Sequence, residues 1–278
     1  MRKLKTMKQK ENKAKSLVDN ALNVLIESIE QGQSDVLTSY LLTMGRFHQY
    51  SISNIMLISK QFPQATKVAG FHTWKKLQRY VLKGEKGIKI IAPLIKNGDK
   101  SDSEGKDIFG FRVVNVFDIS QTQGKELPEL PMVTGDPTPY SDTLNDVIKH
   151  HNITLEYANT LEADGFSTGG RIVIKSGLTP AEDFSVRVHE LAHELLHQQL
   201  NEKLSKKVKE TEAEAVAFVV CSAIGFEVNS ASADYIQLYH GDKETLLKSF
   251  ERIQKISSKI MDYLMKDYII LDKLHHLM

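Results

Sequence analysis

The sequence contains one cysteine, one tryptophan and seven prolines in 278 residues. Because Cys221 cannot form an internal disulfide, the cysteine content does not indicate an oxidising compartment. Apolar runs stay well short of the roughly 18 residues that a membrane-spanning helix needs. The basic N-terminal residues are not followed by the apolar segment of a secretory signal. We therefore expect a cytoplasmic protein that has no membrane partner.

Net charge is also nearly absent, because 36 Lys and Arg residues balance 35 Asp and Glu residues to give +1. The charges are unevenly distributed, however. Residues 1–96 carry 17 basic and 6 acidic side chains, a net charge of +11, and the remaining residues carry 19 and 29, a net charge of −10. Such asymmetry is typical of a polyanion-binding segment joined to an acidic one.

A proline-rich stretch divides the chain. Four of the seven prolines fall within residues 127–139, which predicts a linker there between domains at 1–126 and 140–278. Apolar stretches at 88–95 and 108–117 predict a small antiparallel hairpin, and helical spacing dominates elsewhere. We predict an α+β fold, with N-terminal helices beside a small antiparallel sheet and a mostly helical C-terminal domain.

The sequence HELAH at residues 189–193 is an HExxH motif. It lies in a predicted helix whose start is marked by Thr179 as N-cap. His189 and His193 are four residues apart and share a helix face, so both imidazoles can bind one ion. Zinc accepts neutral imidazole and needs a third protein ligand beside an open position for water. Glu190 is placed to act as the general base.

Candidates for the third ligand lie on the next predicted helix. Glu210 and Glu214 are again four residues apart, so either can bind the ion while the other hydrogen-bonds a ligating histidine. Glu212 points elsewhere, and we expect it to be solvated. His197 is expected to support the site rather than bind the metal. The alternative is that HExxH is a chance motif on a surface helix and that the glutamates are salt-bridged to nearby lysines.

Residues 46–96 combine basic and aromatic side chains, with Glu85 as the one acidic residue. Single-stranded nucleic acid is bound by cations along the phosphates and by aromatic rings that stack on bases. The alternative is that Phe71, Trp74 and Leu77, which recur at helical spacing, form a core. The candidate contacts are Arg46, Tyr50, Phe71, Trp74, Lys75, Lys76, Arg79, Lys83, Lys86 and Lys89.

Three long motifs in this basic segment carry a resemblance to a known family. They are FHQYSISN at 47–54, QFPQATKVAGFHTW at 61–74 and KGEKGIKIIAP at 83–93. They resemble the N-terminal domain of the ArdC antirestriction family, which is related to the N-terminal part of TraC-type primases. The sequence FDISQTQG at 117–124 continues the resemblance, and the first motif adds Asn54 to the candidate DNA contacts.

The C-terminal half resembles the metallopeptidase domain of the same family. Residues 189–197, 210–217 and the region around Tyr235 are similar to its zincin-like fold, which is akin to the ImmA/IrrE peptidases. The resemblance implies His189 and His193 as zinc ligands, Glu190 as the base and Glu210 as the third ligand, with Glu214 as the second choice. Gln78-Arg79 departs from the glycine-bearing turn expected in relatives.

The resemblance implies a protein of mobile elements that binds single-stranded DNA and protects incoming DNA from host restriction. The rival hypothesis is an active metallopeptidase that cleaves a repressor or a restriction-system protein, with the basic domain used for delivery. A third hypothesis, a module that mimics DNA with its acidic half, ranks last because the acidic residues are dispersed.

Overall fold

The computed structural model describes residues 2–31, 34–95, 108–127, 137–197, 204–226 and 243–266. The chain forms two compact units. The first comprises Met1–Ser28 and Tyr50–Leu127, and the second comprises Ile29–Gln49 and Pro128–Met278. Residues 128–136, most of the predicted linker, and the region around Tyr235 lie outside the described residues.

The first unit contains one long helix and two shorter ones among its described residues. Helix α1 spans Arg2–Glu30, so it starts well before the first apolar repeat. Helix α3 (Ile52–Gln61) has Ser51 as its N-cap, with the hydroxyl accepting from the Asn54 amide, and it ends just before Pro63. Helix α4 is the short segment Phe71–Lys76.

The strands of the first unit form two small antiparallel sheets. The predicted hairpin is present as β3 (Ile88–Ile95) and β4 (Ile108–Asp118), and β1 (Val68–Gly70) pairs with the other edge of β4. A second sheet pairs β2 (Arg79–Val81) with β5 (Thr122–Gly124). A 3-10 turn at Ile119–Gln121 connects β4 to β5.

The outer edge of β3 is closed by side-chain amides rather than by another strand. Asn54 donates to the Ile91 carbonyl at 2.9 Å and accepts from the Ile91 amide at 2.8 Å. Gln61 makes the same pair of bonds to the backbone of Lys89. An open strand edge carries unpaired N–H and C=O groups, so α3 both packs on β3 and satisfies its backbone.

The second unit is mostly helical. Within the part of this unit that the structure describes, the helices are α2 (Ser34–Arg46), α5 (Thr138–His150), α6 (Pro180–His197), α7 (Lys206–Ala223) and α8 (Lys243–Leu264). Its sheet has the order β6-β8-β7, with β6 (Thr154–Ala158) parallel to β8 (Arg171–Lys175) and β7 (Gly165–Ser167) antiparallel to it. The α+β prediction is confirmed.

Helix α7 lies at the centre of the second unit, packed against α6, α8 and α2. Every side chain from Ala215 to Cys221 is buried, so this helix is apolar on all sides in its second half. Gly45 allows α2 to come close, because a Cβ there would lie 2.9 Å from the Val219 carbonyl oxygen. Among the described residues, we find no helix with the length and apolarity to cross a membrane.

Candidate metal centre and nucleic-acid surface

Helix α6 begins with the predicted capping box and carries the HExxH motif. The Glu182 carboxylate accepts from the Thr179 amide at 2.9 Å, and the Glu182 amide donates to the Thr179 hydroxyl at 3.4 Å. This reciprocal pair satisfies backbone donors that a helix start leaves free. The helix therefore starts where the sequence predicts, and its register places both motif histidines towards α7.

Three side chains from α6 and α7 converge on one point. His193 Nε2 lies 3.1 Å from His189 Nε2 and 3.3 Å from Glu210 Oε2, and His189 Nε2 lies 3.5 Å from the same oxygen. A metal ion held tetrahedrally at about 2.0–2.1 Å from each ligand separates neighbouring donor atoms by roughly 3.3–3.4 Å. The three distances fit a zinc-sized ion. Within the described part of the chain, these residues form the one cluster with metal-ligand spacing.

The environment of the cluster favours neutral imidazoles. Burial and the neighbouring His193 lower the pKa of His189 to about 4, against Glu210, which raises it. Burial likewise lowers the pKa of His193. Because a metal binds the lone pair of the neutral ring, both histidines are in the form that a metal needs.

Glu190 lies beside the cluster and faces β7. Burial raises the pKa of its carboxyl to about 7, against a hydrogen bond with Ser167 that lowers it. The approach of β7 to α6 depends on Gly165, since a Cβ at this position would lie 2.6 Å from Val186 Cγ1 and 3.2 Å from Glu190 Cγ. Strand β7 therefore closes one side of the site.

A cavity of about 610 Å³ opens beside the cluster. His189, Glu190 and Glu210 form part of its wall. Glu214 also lines this cavity and is exposed, but it is not in the ligand cluster. The remaining lining is mainly apolar, from Val186, Ala217, Phe218 and Phe226 among others.

The expectation that Glu212 is solvated is wrong. Its side chain is 0% exposed and accepts hydrogen bonds from Arg252 of α8 and from His197 Nε2, the latter at 3.2 Å. Burial alone would raise the pKa of Glu212, but hydrogen bonds with His197, Arg252 and Ser249 hold it below its ordinary value. The physical reason is the rotation of α7, which places position 212 on the same face as Ala215 and Val216.

Two hydrogen bonds to another buried carboxylate, outside the metal cluster, were also not predicted. Glu194 is buried, and its two oxygens accept from the amides of Gly169 at 2.8 Å and Gly170 at 2.7 Å. These glycines have φ values of 68° and 91°, a left-handed backbone that glycine adopts without strain. Glu194 thus fixes the β7–β8 turn on α6. In the sequence, Glu194 and Glu212 each lie on the apolar face of a helix, and this position was the signal that they are buried.

Several of the predicted DNA contacts are exposed on the first unit, as such a role requires. The ring of Phe71 is 52% exposed. Lys75 follows Phe71 by one helical turn on α4, so the two side chains share a face. The exposed predicted cations are Lys75, Lys76, Lys83, Lys86 and Lys89.

Three other predicted contacts lie in the interior and need correction. Trp74 is 2% exposed, and its indole N–H donates to the Phe117 carbonyl. Asn54 closes the β3 edge as described above. Arg79 is 9% exposed, and its guanidinium donates to Thr122 and to the Lys125 carbonyl. With their polar atoms already bonded inside the unit, these side chains shape the domain instead of facing a ligand.

The remaining predicted contacts are half-buried. Tyr50 is in the first unit, and burial raises the pKa of its hydroxyl. Arg46 belongs to the second unit, where its Nε donates to the Leu42 carbonyl of its own helix. Among the described residues of the first unit, the exposed aromatic rings that were not predicted as contacts are Tyr80, Phe109 and Phe111. The alternation of Phe109 and Phe111 along β4 was their sequence signal.

The fold and the cluster define an α+β protein in which an HExxH helix and a neighbouring glutamate present three metal-ligand atoms. Residues 15–117 match the family model described as the N-terminal domain of anti-restriction factor ArdC. The resemblance of this N-terminal segment to the ArdC domain, inferred from the motifs, is therefore confirmed.

Two kinds of relative extend this comparison. An uncharacterized protein of Bacillus anthracis is 25% identical over 93% of this chain, and the chain spans about half, 52%, of the length of that curated relative. The Mn(II)-bound crystal structure of the antirestriction ArdC protein from the R388 plasmid has a TM-score of 0.55 at 16% identity and covers 89% of this chain and 98% of its own. That likeness shows the shared fold. The metal-free structure of the same protein has a TM-score of 0.49 at 16% identity, over 77% of this chain and 85% of its own.

Proposed function

We propose that this chain is a cytoplasmic antirestriction protein that binds single-stranded DNA with its first unit and holds zinc in its second. Its role is to protect incoming DNA of a mobile element from host restriction. The match of residues 15–117 to the N-terminal domain of anti-restriction factor ArdC supports the antirestriction role. The arrangement of charged and aromatic side chains on the first unit supports DNA as the ligand.

The observation that carries DNA binding is the exposure of aromatic rings within a basic surface. Phe71 and Tyr80 are 52% and 55% exposed. From Lys67 to Lys89 the one acidic side chain is Glu85, and its carboxylate accepts a hydrogen bond from Gln121 at 2.8 Å. Lysines can neutralise phosphates while the rings stack on bases, which is how single strands are held without sequence preference.

An oligonucleotide titration of the full chain tests this role. The Phe71→Ala, Tyr80→Ala double variant should lose about 1–3 kcal/mol for each stacked base, and wild-type affinity should fall steeply as salt rises. Tyr157→Ala, which removes an exposed ring from the second unit, is the matched control. Unchanged binding by the double variant would remove the stacking role.

Zinc is the metal we propose for the centre. Two imidazoles and one carboxylate are the ligand set of zinc peptidases, and His189, His193 and Glu210 would hold the ion. The solved ArdC structure from R388 is described as Mn(II)-bound, so a metal at this fold has a precedent. A bound zinc ion would supply Lewis-acid polarisation of a carbonyl and a more acidic water.

A second candidate function, peptide hydrolysis, is favoured by the placement of Glu190. Its carboxyl lies next to His189 on the wall of the 610 Å³ cavity, where it could take a proton from a nucleophile and pass it on. A repressor or a host restriction enzyme would be the protein substrate. The chain's apolar cavity lining would hold the substrate side chain.

The Glu190→Gln variant separates the two functions. It keeps the side-chain shape and removes the base. If proteolysis protects the DNA, protection of transferred DNA should fall to the level without the protein. If coating protects it, protection should persist while oligonucleotide binding stays at the wild-type level. Glu182→Gln, a change elsewhere in the lining of the same cavity, is the control.

A further inference from the structure

A line of hydrogen-bonded side chains runs from the metal centre into the interior of the second unit. His193 Nδ1 lies 3.1 Å from His197 Nδ1, and His197 Nε2 lies 3.2 Å from Glu212 Oε2. Glu212 in turn receives the Arg252 guanidinium from α8, through Nε at 3.1 Å and through Nη2. His197 is 8% exposed and Glu212 is 0% exposed, so water does not compete for these contacts.

The direction of each hydrogen bond follows from the last pair. The Arg252 guanidinium can only donate, and it does so to both oxygens of Glu212. Glu212 paired in this way is a carboxylate, which can only accept. His197 Nε2 must therefore carry the proton. In the neutral form of the His197 ring, a proton on Nε2 leaves a lone pair on Nδ1.

The lone pair on His197 Nδ1 determines the state of the next ring. His193 must donate from Nδ1, and its neutral ring then has a lone pair on Nε2. That atom is the one that faces His189 and Glu210 at 3.1 and 3.3 Å. Ligating histidines usually donate their second N–H directly to a carboxylate or a carbonyl. Here a second imidazole stands between the ligand and the carboxylate.

We propose that Glu212 and His197 are positioning residues that fix the tautomer and orientation of His193, with Arg252 balancing the charge of Glu212. The inference rests on the proposed metal site, although the tautomer itself is a property of the protein alone. Removing Glu212 would let the proton of His193 move to Nε2, where it would compete with a metal for the lone pair.

The ring nitrogens can be observed directly. In the metal-free full chain with ring-labelled histidine, at a pH well above the ordinary pKa of about 6.5, long-range ¹H–¹⁵N correlation spectra separate the two tautomers. We expect His193 to be protonated at Nδ1 and His197 at Nε2. Observation of His193 protonated at Nε2 would overturn the proposal before any variant is made.

Glu212→Gln is the test variant, and Glu194→Gln is its matched control. Both replace a buried glutamate, but Glu194 accepts from the backbone of Gly169 and Gly170, whereas Glu212 is hydrogen-bonded to the His197 ring. In Glu212→Gln, the His193 signals should shift towards a mixture of tautomers, and zinc affinity by chelator competition should fall about 10–100-fold. In Glu194→Gln, the tautomer and the affinity should stay as in wild type.

His197→Leu supplies a second arm, because it removes the acceptor for His193 Nδ1 while the Glu212 carboxylate keeps its hydrogen bonds from Arg252. It should lower zinc affinity in the same range, about 10–100-fold. Folded variants of Glu212 and His197 that keep wild-type spectra and affinity would refute the proposal. Should wild type show the expected tautomers but bind no zinc, the metal site fails while the tautomer assignment stands.

Discussion

The indole N–H of Trp74 donates to the backbone carbonyl of Phe117 at 2.8 Å, joining α4 to the end of β4. The same ring is 2% exposed, so the tryptophan contributes both volume and a hydrogen bond to the first unit. The neighbouring Asp118 accepts from the amides of Thr66 and Lys67 at 2.7 and 3.0 Å. These contacts make the 117–124 motif a structural element that ties the basic segment together.

Replacement of Trp74 should therefore destabilise the first unit. Trp74→Ala creates a cavity and should cost about 3–5 kcal/mol of unfolding free energy. Trp74→Phe keeps an aromatic ring but leaves the Phe117 carbonyl without its indole donor, which should lower the unfolding free energy by about 1–3 kcal/mol. Urea unfolding followed by circular dichroism measures both. A folded Trp74→Ala chain of wild-type stability that only binds DNA less well would support a ligand-facing tryptophan instead.

Gln78 occupies a backbone position that suits glycine. Its φ is 58°, and this left-handed conformation costs an L-residue roughly 1–2 kcal/mol in the folded state. Glycine avoids that strain, but its greater backbone freedom in the unfolded chain lowers the free energy of unfolding by about 0.5–1 kcal/mol. Gln78→Gly should raise the unfolding free energy by up to about 1 kcal/mol. Gln78→Val should lower it, since a β-branched residue strains this conformation further. The fluorescence of the single tryptophan reports the unfolding of this unit, and a loss of stability in the glycine variant would contradict the account.

Cys221 should be inert in the folded chain. Burial raises the pKa of its thiol to about 12, against a hydrogen bond with Ser185 that lowers it. The thiolate forms more readily in the unfolded chain than in the folded one. The stability that depends on keeping Cys221 as a neutral thiol is therefore fully present below about pH 8.5, and it declines as the pH rises towards 12. A chromogenic disulfide reagent should label the thiol in urea and not in buffer. Fast labelling of the native chain would show that α7 opens locally.

Local sequence signals predicted much of the fold because the decisive interactions are local. The capping pair of Thr179 and Glu182, the stop of α3 before Pro63 and the apolar run of β3 are each read from a few adjacent residues. The short strands β1, β2, β5 and β7 were missed, because three residues show no periodicity and their pairing depends on distant partners such as Phe117 for Ala69. The assignment of residues 29–49 to the second unit likewise depends on packing against α7, which spacing does not reveal.

The candidate site shows the same difference between interactions of nearby residues, which the sequence predicts, and interactions of distant residues, which it does not. Helical spacing alone brought His189 and His193 together, and the family resemblance singled out Glu210. The sequence misplaced Glu212, because its role depends on Arg252, forty residues away on another helix. It also misplaced Trp74 and Arg79, since composition cannot tell a cation or a ring that faces a ligand from one that is bonded inside the domain.

Metal binding by the full chain tests the central claim most directly. In an equilibrium titration of metal-free protein with zinc, competed by a chromophoric chelator, we expect one ion per chain. Glu210→Gln should weaken binding severely, while Glu214→Gln, a change at the exposed neighbouring glutamate, should leave it near wild type. A wild-type chain that takes up no zinc, or a loss of binding caused by Glu214→Gln and not by Glu210→Gln, would contradict the assignment of His189, His193 and Glu210 as the metal centre.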